Sequence, residues 1–108
     1  MHVRWMRAAL AEAEGALAEE EVPVGCVIVH EASQRLMARG RNETNKTRNG
    51  TRHCEFVCID SMRTHADPAI HAAKLAECTL YVTVEPCLMC AAALRIAGIG
   101  QCWRAALS

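Results

Sequence analysis

The sequence has few aromatic residues and no net charge. Its 108 residues hold one Phe, one Tyr and two Trp within an apolar fraction of 52% that is rich in alanine. Such a core has to be built from small side chains in close contact rather than from large rings. Twelve Lys and Arg balance twelve Asp and Glu. Domains that grip nucleic acid unaided mostly carry a basic surplus, so bulk charge does not hold such a partner here. No apolar run approaches the ~20 residues that a membrane-spanning helix needs. The first residues lack the uninterrupted apolar core of a signal peptide. The length suits one domain, expected over residues 1–108.

Cysteine is the residue in excess. Seven in so short a chain raise the prospect of a secreted disulfide scaffold,. The odd count, the missing signal peptide and the C-x-x-C spacing of Cys87 and Cys90 argue against it. A reducing intracellular setting, nucleus or cytoplasm, is expected instead. Cys26, Cys58, Cys78 and Cys102 read as small buried or half-buried residues. Cys54 reads the same way, with the alternative that it competes for a metal.

Local patterns give an element order of helix, strand, strand, helix, strand, helix. Val3, Met6, Leu10, Ala13 and Leu17 recur in steps of three and four, which predicts an amphipathic helix with this stripe buried. Glu19, Glu20 and Glu21 oppose the negative end of a helix dipole and end it. The β-branched run Val22–Val29 predicts a buried strand, Glu31–Gln34 a turn and Arg35–Gly40 a second strand of a hairpin. Arg41–Arg52 is polar, with Asn42, Asn45, Asn49 and Gly50 as turn residues. A helix is expected over His53–Arg63, with Thr51 as a possible N-cap. Pro68 interrupts the next stretch, where a short helical piece is expected over Ala69–Leu75. Thr79–Val84 predicts a strand, and Cys87–Ala97 a helix opened by Pro86 and closed by Gly98. Ile99–Trp103 can begin another strand. This is an α/β layer pattern with helices packed on a mixed sheet.

The chemistry concentrates in His53-Cys54-Glu55 and Pro86-Cys87-Leu88-Met89-Cys90. One imidazole and two thiolates suit a tetrahedral Zn²⁺ whose fourth position stays open, as a catalytic zinc requires. Cys87 and Cys90, three apart on a helix, face the same way. The helix N-terminus favours their thiolates. His53 and Glu55 lie roughly 200° apart around a regular helix. Both reach one metal–water site only if it sits across the first turn. Zinc lowers the pKa of a bound water, and Glu55 is placed to handle its proton. The competing reading is a closed structural site, for which Cys54 is the only nearby fourth donor. The H-x-E…P-C-x-x-C pattern is shared with zinc nucleobase deaminases.

Around this motif the signals are weaker. Asn42 is either a turn residue or an amide that holds a ribose or base edge. Arg39, Arg41, Lys46, Arg48 and Arg52, diluted by Glu43, form either a phosphate-guiding patch or a solvated loop. His2, His30, His65 and His71 read as surface or capping residues, and Trp5 and Trp103 as packing residues.

Longer blocks narrow the pattern. Val22–Val29, Gly40–Asn45, Thr51–Asp60 and Thr79–Arg95 follow in order, and together they resemble the catalytic subunit of the eukaryotic tRNA-specific adenosine deaminases, in the cytidine deaminase-like superfamily. The resemblance covers roughly residues 3–99. It implies a three-layer α/β/α fold with a mixed central sheet. It also implies conversion of adenosine to inosine at the wobble position of tRNA anticodons, in a heterodimer with a related non-catalytic subunit. His53, Cys87 and Cys90 are then zinc ligands, Glu55 the proton shuttle and Asn42 a substrate contact. Two features depart from the family. Cys54 stands where the family usually has alanine. The chain stops at Ser108, where the family continues into further strands and a closing helix. The domain is therefore expected to lack its C-terminal strands, leaving one sheet edge unprotected. The alternatives are a deaminase of a free nucleoside, nucleotide or base, and an inactive zinc-binding assembly subunit.

Overall fold

A computed structural model describes residues 2–48, 52–84 and 87–104. Among these described residues, five helices and four strands follow one another as α1 (His2–Ala18), β1 (Gly25–His30), β2 (Arg35–Arg41), α2 (Thr44–Thr47), α3 (Cys54–Arg63), α4 (Pro68–His71), β3 (Cys78–Val82), α5 (Leu88–Ala97) and β4 (Gln101–Arg104), with a 3₁₀ turn at Leu75–Glu77 before β3. The strand order is β2-β1-β3-β4. β1 runs antiparallel to β2 and β3, whereas β3 and β4 are parallel, so the sheet is mixed.

Alternation along β1 sends side chains to two cores. Cys26 and Ile28, with Leu80 and Val82 of β3, pack against Cys54, Cys58 and Met62 of α3 and Leu94 of α5. Val27, Val29 and Tyr81 pack on the opposite face against Trp5 and Ala9 of α1. The result is the expected helix–sheet–helix layering. The hairpin is also as expected, with Gln34 in the left-handed region at its turn and a register shift at Ile28/Val29.

The expected stripe of α1 is not the buried one. Val3, Leu10 and Leu17 are exposed by 63%, 46% and 61%, and only Ala13 of the five is buried. The face on the sheet is Trp5, Ala9, Glu12, Ala13 and Ala16. The reason is the closeness of helix and strand. A Cβ at Gly25 would run into the Ala9 carbonyl and the Ala13 backbone nitrogen. Where the helix crosses Gly25 it presents Ala9 and Ala13, small enough for so short an approach, while Leu10 and Leu17 turn to the flank.

Other boundaries shift for local reasons. Pairing of β1 begins at Gly25, and Val22 is 57% exposed ahead of it. The helical piece after Asp67 is α4 plus the 3₁₀ turn, and Asp67 caps α4 by accepting from the Ala69 N–H at 2.9 Å. Gly98 ends α5 at φ 84°. β4 forms as the strand expected after it, and among the described residues it is one of the two sheet edges, with all four residues exposed. Cys102 is therefore exposed rather than buried, whereas Cys26, Cys58 and Cys78 are buried as expected. Trp103 is half-covered by His2, stacked at 4.2 Å between centroids. Trp5 is buried and donates from Nε1 to Gln34 Oε1 at 2.9 Å. Thr51, Asn49, Gly50, Pro86 and the residues after Arg104 lie outside the described residues.

Candidate active site

Two helix N-termini meet beside the sheet. His53 is the N-cap of α3, with extended backbone at φ −67° and ψ 157°. Glu55 follows inside the first turn. That break in helical geometry resolves the angular problem posed by their spacing, because His53 is not held to the helical 100° step. Cys87 is likewise the N-cap of α5 and accepts from the Cys90 N–H at 3.5 Å, while Cys90 lies in the first turn. The expected helix starting at Cys87 thus begins one residue later, and Cys87 caps it.

His53 Nδ1 lies 3.5 Å from Cys87 Sγ and 3.3 Å from Cys90 Sγ. The three donor atoms fall within 4.8 Å of one another, and they are the one such group among the described residues. One borderline nitrogen and two soft sulfurs are a zinc donor set, with room left for a fourth ligand. Burial, followed by the nearby Glu55 charge, pushes the Cys90 thiol well above its ordinary range. A divalent cation reverses that balance by stabilising the thiolate. The residues present therefore fit zinc.

Cys54 does not close the site. Its side chain is buried and its Sγ donates to Glu55 Oε1 at 3.3 Å. A hydrogen bond with Cys26 pulls the Cys54 thiol down, but burial and the Glu55 charge push it up by more. Behind it, Cys26 and Cys58 meet sulfur to sulfur at 3.0 Å in the core.

His53 and Cys87 border a cleft of about 250 Å³ that is also lined by Val22, Val24, Asn42, Thr44, Glu55 and Val84. This is below the ~300–1,000 Å³ usual for ligand pockets and suits a single flat ring system. Glu55 is 4% exposed and Asn42 6%. Asn42 stands at the end of β2, where its N–H donates to the Val24 carbonyl at 3.1 Å and its Nδ2 to Thr44 Oγ1 at 3.3 Å. Four of the five residues singled out from the sequence, Asn42, His53, Glu55 and Cys87, thus line one cleft, and the fifth, Cys90, is buried behind it against His53. Val22, Val24, Thr44 and Val84 were not singled out. The polar signal of Thr44, two residues after Asn42, was available.

The basic cluster is largely neutralised. Arg39 and Arg41 reach Glu12 at 3.5 and 3.1 Å, Arg41 also reaches Glu19 at 3.3 Å, and Arg52 pairs with Asp60. Lys46 and Arg48 are exposed on the polar segment.

A mixed-sheet α/β core that seats an open nitrogen–sulfur donor set on two helix N-termini is the architecture of the zinc-dependent deaminase class. The model of the cytidine and deoxycytidylate deaminase zinc-binding region matches residues 1–105, and the chain belongs to that family. It is 44% identical over 94 residues to the tRNA-specific adenosine deaminase 2 of Xenopus tropicalis, covering 85% of this chain and 54% of that protein. It is 40% identical over 89 residues to a tRNA-specific adenosine deaminase of Rickettsia bellii, covering 82% and 59%. The chain spans about half the length of the curated relatives it matches. A solved structure from a study of A-to-I editing by tRNA:A34 deaminases superposes with a TM-score of 0.82 at 36% identity, covering 94% of this chain and 74% of that one. A guanine deaminase from Bacillus subtilis superposes with a TM-score of 0.80 at 29% identity, covering 98% and 64%.

Proposed function

We propose that this chain is the catalytic part of a hydrolytic deaminase that converts adenosine to inosine at the wobble position of tRNA anticodons. The observation that carries the reading is the open His53–Cys87–Cys90 donor set facing a narrow cleft with Glu55 and Asn42 on its walls. The similarity to tRNA adenosine deaminases supports the substrate class. His53, Cys87 and Cys90 would hold the zinc, which would supply a water made acidic enough to act as nucleophile near neutral pH. Glu55 would take the two protons of that water in turn, placing the first on the ring nitrogen, where inosine keeps it, and the second on the departing amine. The Cys54 thiol holds one oxygen of the Glu55 carboxylate and so orients it. Asn42 holds the edge of the base or ribose. Water and adenosine go in, and inosine and ammonia leave.

A protein partner belongs to the same reading. Met89, in the first turn of α5 next to Cys90, and Ile96, near the far end of that helix, are 41% and 87% exposed, which supports a covering subunit related to this one. Such a partner supplies the tRNA grip that a neutral chain lacks. No helix of the described residues is long and apolar enough to cross a membrane. Seven free cysteines suit a reducing nucleus or cytoplasm,.

The test is incubation of the zinc-loaded chain, alone and with candidate partner subunits, with anticodon stem-loops carrying adenosine at the wobble position. Inosine at that position is expected. Ammonia release from free nucleosides or guanine, without tRNA inosine, refutes the reading.

A further inference from the structure

The wall of the cleft that carries Asn42 and Thr44 is held from an unexpected direction. Glu21, just past α1, is 4% exposed. One of its carboxylate oxygens accepts from the Asn45 N–H at 3.0 Å and the other from the Lys46 N–H at 2.6 Å. Both are first-turn amides of α2, whose own N-cap residue, Glu43, makes no side-chain capping bond. The Asn45 amide returns the tie by donating from Nδ2 to the Glu20 carbonyl at 3.0 Å. Glu20 sits in the left-handed region at φ 61°, and the Glu21 N–H is fixed on the Ala16 carbonyl at 2.9 Å, so the carboxylate is aimed by the end of α1.

A four-residue helix does not hold itself together, because nucleation outweighs so few hydrogen bonds. The buried carboxylate satisfies two otherwise orphaned donors with charge-assisted bonds. α2 opens with Thr44, and Thr44 Oγ1 accepts from Asn42 Nδ2. In sequence, Glu21 also directly precedes the Val22–Val24 wall. It therefore ties the two sides of the cleft to each other.

Resting on the function proposed above, we infer that Glu21 is a positioning residue: it caps α2 from a distance, which places Thr44 and fixes the Asn42 amide toward the substrate. It touches neither zinc nor the reacting atoms, so its effect falls on substrate binding.

The experiment compares zinc-loaded wild type, Glu21→Ala, Glu21→Gln, Asn42→Ala and the Glu21→Ala/Asn42→Ala double variant, using steady-state kinetics on the stem-loop and amide hydrogen exchange. Glu21→Ala is expected to raise KM by about tenfold with kcat within about twofold and zinc content unchanged. Glu21→Gln, which keeps one acceptor oxygen, falls between. The double variant is expected to be no worse than Asn42→Ala, because the two act through one path. Exchange of the peptide containing Asn45 and Lys46 is expected to speed up in Glu21→Ala. Unchanged exchange overturns the capping role. Faster exchange with unchanged KM overturns the positioning role. If wild type makes no inosine, the proposed function fails on its own account, and unchanged exchange still separately overturns the assignment of Glu21.

Discussion

Replacing Gly25 by alanine tests how closely α1 lies on the sheet. The added methyl would meet the Ala9 carbonyl oxygen and the Ala13 nitrogen, both backbone atoms that cannot rotate aside, and would lie 2.7 Å from Glu12 Cβ. Restoring ordinary contact requires α1 to back away by about 1 Å, which forfeits a quarter to a half of the dispersion attraction across that surface. Trp5 and Ala9 would loosen against Val27, Val29 and Tyr81. Overpacking costs about 1–3 kcal/mol, and the backbone clash places this case at about 2–3 kcal/mol. For a domain of this size the melting temperature should fall by roughly 10–20 °C. Thermal melts followed by circular dichroism measure it, with Leu17→Ala as the comparison, expected within about 0.5 kcal/mol of wild type because Leu17 is exposed,. A Gly25→Ala protein that melts within about 2 °C of wild type, or a Leu17→Ala protein that loses as much as Gly25→Ala, refutes the close packing.

Three further outcomes follow from the site and its surroundings. Cys87→Ser removes one of three donors, and metal analysis should show a zinc affinity lowered by more than the ~10–100-fold typical of losing an outer-shell partner. Cys54→Ala should keep one zinc per chain, because its thiol bonds Glu55 and is not among the clustered donors; lost zinc in that variant makes Cys54 a ligand. Asp67 is held below its ordinary range by Arg35 and then by the Ala69 N–H. Its contribution is present above the ordinary carboxylate range and is lost as the pH falls through the lowered value. Asp67→Asn should therefore flatten the acid side of a stability–pH profile, and an unchanged acid limb contradicts this.

The metal motif was legible because its information is local. Two short spacings, each at a helix start, bring in all three donors and Glu55, and the strand pattern of β1 and β3 places those starts beside one sheet. What was not legible depends on contacts across the chain. The stripe of α1 misleads because Gly25, far along the sequence, sets how close the helix lies and so favours alanine over leucine on the buried face. Val22–Val24 has the composition of a strand, but ladder pairing starts at Gly25, and the segment lines the cleft instead. The basic cluster looks available for phosphate until Glu12, Glu19 and Asp60 close on its arginines. Glu21 reads as part of an acidic helix end. Only the fold brings its carboxylate to the amides of Asn45 and Lys46.

The most direct test of the account is the Glu55→Gln variant, compared with wild type for zinc content and for inosine formed at the wobble position of an anticodon stem-loop. Glutamine keeps the size of the side chain and its packing but cannot carry the proton. The account predicts equal zinc in the two proteins and a loss of turnover on the order of 10²–10⁴-fold or more in the variant. Wild-type turnover in a zinc-loaded Glu55→Gln protein would contradict it.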